Sequence, residues 1–350
     1  MLLGLDLIVF LPIIIAFFIT LVATPLSIKL IKRFGILDDP KKHKHPAIIH
    51  KKPTPRGGGI PLFIGVAVAS LIFLPVGRET ISLFIAGFIA LIVGILDDKL
   101  DLSPYFRFAM NIVCAVIVVT AGISVPFITN PMGGILYLNQ LPFLSDIIAV
   151  VWIVWAMNML NWSKGVDGQM PGIVAISAIV IGILSLRFTA LDQNSLIAAK
   201  LSFIIAGSSL GFLIFNFYPA RIFPGYSATS IYLLLAVVSI LSSAKLATAI
   251  LVMGVPMMDG IFTVVRRVIS GRSPFWHDKK HLHHLLLYLG LSQRAIALSY
   301  WIFSAILGAL ALVLSSRGKL FAIVMLLIVV FGGILFLQFL VRRINAKSNI

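Results

Sequence analysis

Two adjacent carboxylates, Asp97 and Asp98, close an apolar run in Gly94-Ile95-Leu96-Asp97-Asp98-Lys99. Acids at such a depth are costly and mark function unless they are paired. Neighbouring helix positions point about 100° apart, so one carboxylate can face a metal while the other meets a substrate. Magnesium suits such a place, because it takes one or two carboxylates plus substrate phosphates. The plainer reading is a helix end paired with Lys99 or Arg107. A second constellation is Asn158 and Asn161, three apart on one helix face, followed by Lys164-Gly165-Val166-Asp167-Gly168. Amides and a carboxylate suit a sugar or nucleobase, although these are also ordinary capping and turn residues. A third is the loop from Gly271-Arg272-Ser273-Pro274 to His281-Leu282-His283-His284. Its histidines can take a metal or, with arginine and lysine, clamp a pyrophosphate; the basic surroundings favour the anion. The fourth is His50-Lys51-Lys52-Pro53-Thr54-Pro55-Arg56-Gly57-Gly58-Gly59. Glycines admit close backbone approach and a helix start favours anions. The plainer reading there is a basic loop against anionic lipid headgroups.

The elements that must position these groups are apolar. Of 350 residues, 60% are hydrophobic and 11% charged, against about 25% charged in a soluble domain. A soluble enzyme and a disordered chain are both excluded. The single cysteine, Cys114, excludes a disulfide framework and a cysteine-based zinc site, and it reads as a small core or lipid-facing residue. The first apolar run lacks a basic leader and reads as a retained helix. A span needs about 20 apolar residues. Eleven candidates lie near 5–30, 58–76, 80–96, 106–126, 145–161, 171–190, 196–217, 229–243, 246–265, 296–314 and 319–341. Ten remain if one of the closely spaced eighth and ninth is re-entrant. The expected architecture is an all-α polytopic membrane protein, a single domain over 1–350 with about 10–11 transmembrane helices.

The net charge of +16 is explained by membrane topology, and no nucleic-acid partner is expected. Loops 31–57 and 266–295 and the C-terminal tail carry most of the cations and fall on one side. The positive-inside rule makes that side the cytoplasm, with the N-terminus outside and the C-terminus inside. All four constellations then share the cytoplasmic face. No internal repeat of the transporter kind is visible.

In their order and membrane side, these motifs resemble the polyprenyl-phosphate N-acetylhexosamine-1-phosphate transferases of glycosyltransferase family 4. The resemblance runs from about Gly35 to Arg294. It also takes in Asn216-Phe217-Tyr218-Pro219-Ala220-Arg221, Gly254-Val255-Pro256 with Asp259, and Arg266-Arg267. The His-Leu-His-His form is similar to the N-acetylglucosamine branch. The resemblance implies transfer of a sugar 1-phosphate from a UDP-sugar to polyprenyl (undecaprenyl) phosphate with release of UMP. That would be the first membrane step of a cell-envelope glycan pathway, in the plasma membrane, with Mg²⁺ as cofactor and a homodimer as one arrangement. It implies that Asp97 and Asp98 form the reaction centre. Asp167 and Lys51 would hold the uracil, and Asn158, Asn161 and Asn216 would line the substrate. Arg272, His281, His283 and His284 would engage sugar and pyrophosphate, and Asp97, Asp98 and Asp259 would hold the metal. Two family acids are replaced, one by Lys164 and the principal metal ligand by Tyr226, and Ala228 stands for a family glycine. A relative that binds nucleotide-sugar or polyprenyl phosphate without turnover, and a membrane transporter, are the alternatives.

Overall fold

A computed structural model of the chain describes residues 6–38, 53–130, 133–188, 193–241, 246–276, 278 and 280–348. A short π-helical turn, Asp6–Phe10, leads into α1 (Leu11–Arg33). There follow α2 (Gly59–Phe73), α3 (Arg78–Leu100), α4 (Pro104–Thr120), α5 (Leu144–Trp162), α6 (Gln169–Leu186) and α7 (Gln193–Asn216). The chain continues through α8 (Thr229–Leu241), α9 (Leu246–Val252), α10 (Gly254–Ile269), α11 (Leu282–Tyr288), α12 (Gln293–Val313) and α13 (Ser316–Ser348). Helices are what a lipid-embedded chain must form, because they satisfy every backbone polar group internally.

Among the described residues seven helical segments are long and apolar enough to cross a membrane: 8–33, 78–100, 144–162, 169–186, 194–216, 293–313 and 316–345. The pair α9 and α10, bent by 86°, makes an eighth if it counts as one broken span. The remaining three of the eleven expected spans are the shorter apolar helices α2, α4 and α8, of 15, 17 and 13 residues. Thirteen residues rise about 20 Å, well short of the ~30 Å hydrocarbon core. The reason for α8 is its position. All its residues are buried, with α3, α5 and α7 packed around it, so protein rather than lipid sets its length. The opposite extreme is α13, whose most apolar window is 11% buried against 78% for α6 and α7. It presents Phe321, Ile328, Val329 and Phe336 outward, as a lipid-facing helix must.

Two small antiparallel ribbons complete the fold. One pairs β3 (Phe127–Thr129) with β4 (Ile135–Tyr137) beyond the far end of α4. The other pairs β1 (Leu37–Asp38) with β2 (Thr54–Pro55), in the register Leu37 to Pro55 and Asp38 to Thr54. This second ribbon starts the site. Beyond β2 the strand direction continues, and Arg56 bridges in parallel to Phe223. The Phe223 N–H donates to the Pro55 carbonyl at 2.8 Å, and the Gly58 N–H donates to the Phe223 carbonyl at 3.0 Å. The segment before α2 is thereby stitched to the segment before α8.

Candidate active site

The C-terminal end of α3 delivers Asp97 and Asp98, 0% and 6% exposed. They point in different directions, as their helix spacing requires. Asp97 faces α4. Its Oδ1 accepts from Arg107 Nη1 at 3.1 Å and from the Leu102 N–H at 3.1 Å, and its Oδ2 accepts from Arg107 Nη1 at 3.2 Å. Asp98 faces the turn before α8. Its Oδ1 accepts from the Tyr226 N–H at 2.6 Å and its Oδ2 from the Ser227 N–H at 3.1 Å. Arg56, held by the Phe223 bridge, places Nε 3.0 Å from Asp98 Oδ1 and Nη2 3.8 Å from Asp97 Oδ2. Gly225 makes the turn possible: its φ is +68°, and a Cβ there would run into the Asp98 carboxylate. Two buried acids are stable here because two permanent cations and three backbone donors neutralise them.

Tyr226 is buried by the same turn. Its hydroxyl accepts from Asn111 Nδ2 at 3.1 Å. The Arg107 guanidinium lies 4.9 Å from its ring centre and Lys164 Nζ 5.6 Å from it, which is cation–π range. Burial first, against the pull of Arg107, pushes the phenol up to about 12. Lys164 follows α5 in a short turn and donates to Asn161 Oδ1 at 2.9 Å. Asn161 cannot swing away, because its Nδ2 donates to the Met157 carbonyl at 3.1 Å and to Thr229 Oγ1. Burial, then Arg56, lowers Lys164 to about 7, with Asp98 and Asp97 opposing and Arg107 reinforcing the fall.

The second half comes from α10, α11 and the loop between them. Asp259 accepts from the Leu282 N–H at 3.1 Å and lies 2.8 Å from His281 Nδ1. That contact fixes the imidazole and leaves Nε2 as its other nitrogen. His283 stacks on His281 with ring centres 5.6 Å apart and meets His284 at 4.1 Å. It is 1% exposed, and its Nδ1 is buried with no hydrogen-bond partner among the described residues. Burial, then His284 and His281, hold it well below the usual imidazole range. Gly165 makes room for that ring, since a Cβ there would collide with it. Asp278 is bound by Arg266 Nη2 at 2.7 Å and Arg267 Nε at 3.2 Å.

The two halves face one open cleft. It is lined by Asn158, Asn161, Trp162, Lys164, Tyr226, Arg56 and Arg107 and by Arg267, His281, His283, His284, Phe275 and Trp276. Asp38, Asp101 and Asp278 also border it. Of the expected site residues, Asn158, Asn161 and the three histidines lie on this cleft, and Asp97 and Asp98 stand behind it. Asp167 and Asn216 do not line it. Asp167 Oδ2 accepts from the Ala220 N–H at 2.9 Å. Asn216 accepts from the Gly168 N–H at 3.0 Å and donates to the Ile222 carbonyl at 2.8 Å. Both tie neighbouring loops together. Arg272 is exposed and stacks 3.7 Å over Trp276, outside the lining. Lys51 lies outside the described residues. Arg56 and Arg267 lie within the motifs and Arg107 pairs with Asp97 as the plainer reading expects, but the motifs give none of the three, nor Asp278, a role in the site. Charge balance was the available signal, since two buried acids demand two buried cations.

The acids expected to hold magnesium do not fit it as they stand. A hard cation competes poorly for carboxylates whose charge is already matched by guanidinium groups or an imidazole and whose oxygens face protein donors. Both oxygens of Asp97, Asp98 and Asp259 accept or contact protein donors, and Asn161 Oδ1 holds an ammonium. Among the described residues no three His, Cys, Asp or Glu side chains gather into a metal-holding group. Asp97, Asp98 and Asp259 therefore do not form the expected joint metal site, and neither do the histidines. The physical reason is that the acids are divided between two clusters, each with its own counter-charges.

The model of glycosyl transferase family 4 matches residues 80–243, which include the acidic pair, Asn158, Asn161, Lys164 and Tyr226. Similarity to whole proteins runs further. A Bacillus subtilis (strain 168) protein named as a probable undecaprenyl-phosphate N-acetylglucosaminyl 1-phosphate transferase is 31% identical over 344 residues, covering 93% of this chain and 90% of that one. A decaprenyl-phosphate N-acetylglucosaminephosphotransferase of Mycolicibacterium smegmatis is 31% identical, covering 89% and 83%. An undecaprenyl-phosphate alpha-N-acetylglucosaminyl 1-phosphate transferase of Thermotoga maritima is 29% identical over 78% of each chain. Both halves of the cleft thus fall within the shared length, and the chain belongs to glycosyl transferase family 4.

Proposed function

We propose that this membrane protein transfers N-acetylglucosamine 1-phosphate from UDP-N-acetylglucosamine to polyprenyl phosphate and releases UMP. The observation that carries the reading is the cleft itself. Its buried acids are already neutralised from behind, so Lys164 and the histidines face the opening beside two asparagines. Those groups suit a diphosphate next to a sugar. The relatives named for this transfer share the length of chain that builds both walls.

The chemistry needs little covalent help from protein. An oxygen of the lipid phosphate bonds to the β-phosphorus of the nucleotide sugar. The bond from that phosphorus to the bridging oxygen breaks, and the electron pair leaves on UMP. With the acceptor as a dianion, its state above a second pKa of about 6, no proton has to move. Catalysis is then positioning plus stabilisation of charge. Asp97 and Asp98 are positioning residues: they hold Arg56, Arg107 and the Tyr226 turn. His281, oriented by Asp259, His283 and His284 contact the donor, and Asn158 and Asn161 face the sugar–nucleotide side. The cleft opens to the cytoplasm and the N-terminus lies outside.

The test is to purify the protein in detergent with labelled UDP-N-acetylglucosamine and undecaprenyl phosphate. A labelled lipid product formed with equimolar UMP is expected. Release of UMP without lipid product, or no turnover at all, counts against the reading. For orientation, a chain with Cys114→Ser and single cysteines at Asn139 or Ser273 is treated in intact cells with an impermeant thiol reagent. Only the Asn139 site should label.

A further inference from the structure

Among the described residues the Lys164 ammonium has no carboxylate within ion-pair distance, although it lines the cleft beside the Tyr226 ring. Asn161 holds it by one hydrogen bond. An ammonium has three donors, so two remain for an anion. Its surroundings call for one. Arg56, Arg107 and Lys164 carry like charges around the Tyr226 turn, while the carboxylates of Asp97 and Asp98 are already engaged by Arg56, Arg107 and backbone N–H groups. Also on the cleft, the unpartnered buried Nδ1 of His283 is a second polar atom without a match among the described residues.

We propose that the Lys164 ammonium does at the diphosphate what the family resemblance assigns to magnesium, so that nucleotide-sugar binding and transfer by this chain need no divalent cation. The inference rests on the reading of the cleft as a UDP-sugar site. Lys164 Nζ hydrogen-bonds the oxygen that bridges the two phosphorus atoms. As the new P–O bond to the lipid forms and the old one breaks, that oxygen gains the electron pair beside the ammonium. No co-reactant is consumed. The aromatic face of Tyr226 completes the seat: it favours a cation without competing for it as a carboxylate would, whereas an aspartate there would hold Lys164 in an ion pair.

Two readouts test this, UDP binding by calorimetry and lipid-product formation, each with Mg²⁺ and with excess EDTA. Both should change by less than about twofold on chelation. Lys164→Met should weaken UDP binding by about tenfold or more in either condition, and Lys164→Arg, which keeps the charge, should recover most of it. The double variant Lys164→Asp with Tyr226→Asp should bind UDP only when Mg²⁺ is present. Binding that chelation abolishes in wild type, or Lys164→Met binding UDP like wild type, overturns the proposal. If product forms but only with Mg²⁺, the transferase reading stands and this one falls. If UDP binds through Lys164 without metal and no lipid product forms, the transferase reading falls and only the metal-free binding stands.

Discussion

The two acid clusters at the cleft solve the same problem with different partners. Asp97 and Asp98 are matched by guanidinium groups and backbone donors. Guanidinium forks and backbone N–H groups are rigid donors, so the cluster is a fixed frame. Asp259 is matched by an imidazole and one backbone donor, and the neighbouring His283 is held below its ordinary range. That side carries groups whose charge an incoming anion can change. One wall therefore positions and the other responds. Lys164, lowered to about 7 by burial and by Arg56, belongs by chemistry to the responding kind although it sits on the rigid wall.

The largest effect is expected on the rigid wall. Asp98→Asn leaves Arg56 without its charge partner and weakens the turn at Tyr226. Breaking a buried pair costs about 3–5 kcal/mol, so thermal unfolding in detergent should shift down markedly and transfer should vanish. Asp97→Asn should do the same through Arg107. Wild-type unfolding and turnover in both variants would show that the acids do not hold the frame. A smaller effect is expected from Gly165→Ala, whose methyl displaces the His283 ring. UDP affinity should fall about tenfold, equivalent to roughly 1.4 kcal/mol, with the unfolding temperature moving less than in Asp98→Asn.

A third outcome separates the walls by pH. The free-protein Lys164 is charged mainly below about 7, and a bound diphosphate favours the charged form. UDP affinity should therefore be greatest below pH 7 and decline as pH rises through that value. The groups facing Lys164 are Arg56, Arg107, Asp97, Asp98, Asn161 and Tyr226, with the three histidines and Arg267 also on the cleft. Lys164→Arg stays charged throughout and should remove the decline above pH 7 while leaving any histidine-dependent change below it. A decline that persists in that variant would assign it to the histidines instead. The smallest effect is expected from Arg272→Ala. That side chain stacks on Trp276 and is exposed, so UDP affinity should change less than about twofold, as exposed contacts do.

The helices were legible because lipid enforces them: each apolar run became a helix. Their lengths were less so. For α8, burial inside the bundle rather than bilayer thickness set the length, and hydropathy does not separate those two environments. In the site, the acidic pair, the two asparagines and the histidines stood out by residue type and spacing, and Lys164 and Tyr226 only through the family resemblance. What they bind to did not. Nothing local in Pro55-Arg56-Gly57 announces that pairing with Phe223, more than 160 residues away, will bring Arg56 to Asp98. Asp167 and Asn216 were ligands by the family resemblance alone, and carboxylates and amides look alike in sequence whether they hold a substrate or a backbone N–H. The separation of Asp259 from Asp97 and Asp98 is a property of packing, which motif order does not encode.

The most direct measurement is a structure of the protein with UDP in a buffer containing Mg²⁺. The diphosphate should lie in the cleft within hydrogen-bond distance of Lys164 Nζ, with Asn161 Oδ1 still bound to that ammonium. A magnesium ion between Asn161 and the diphosphate with Lys164 turned away, or nucleotide bound outside the cleft, would contradict the account.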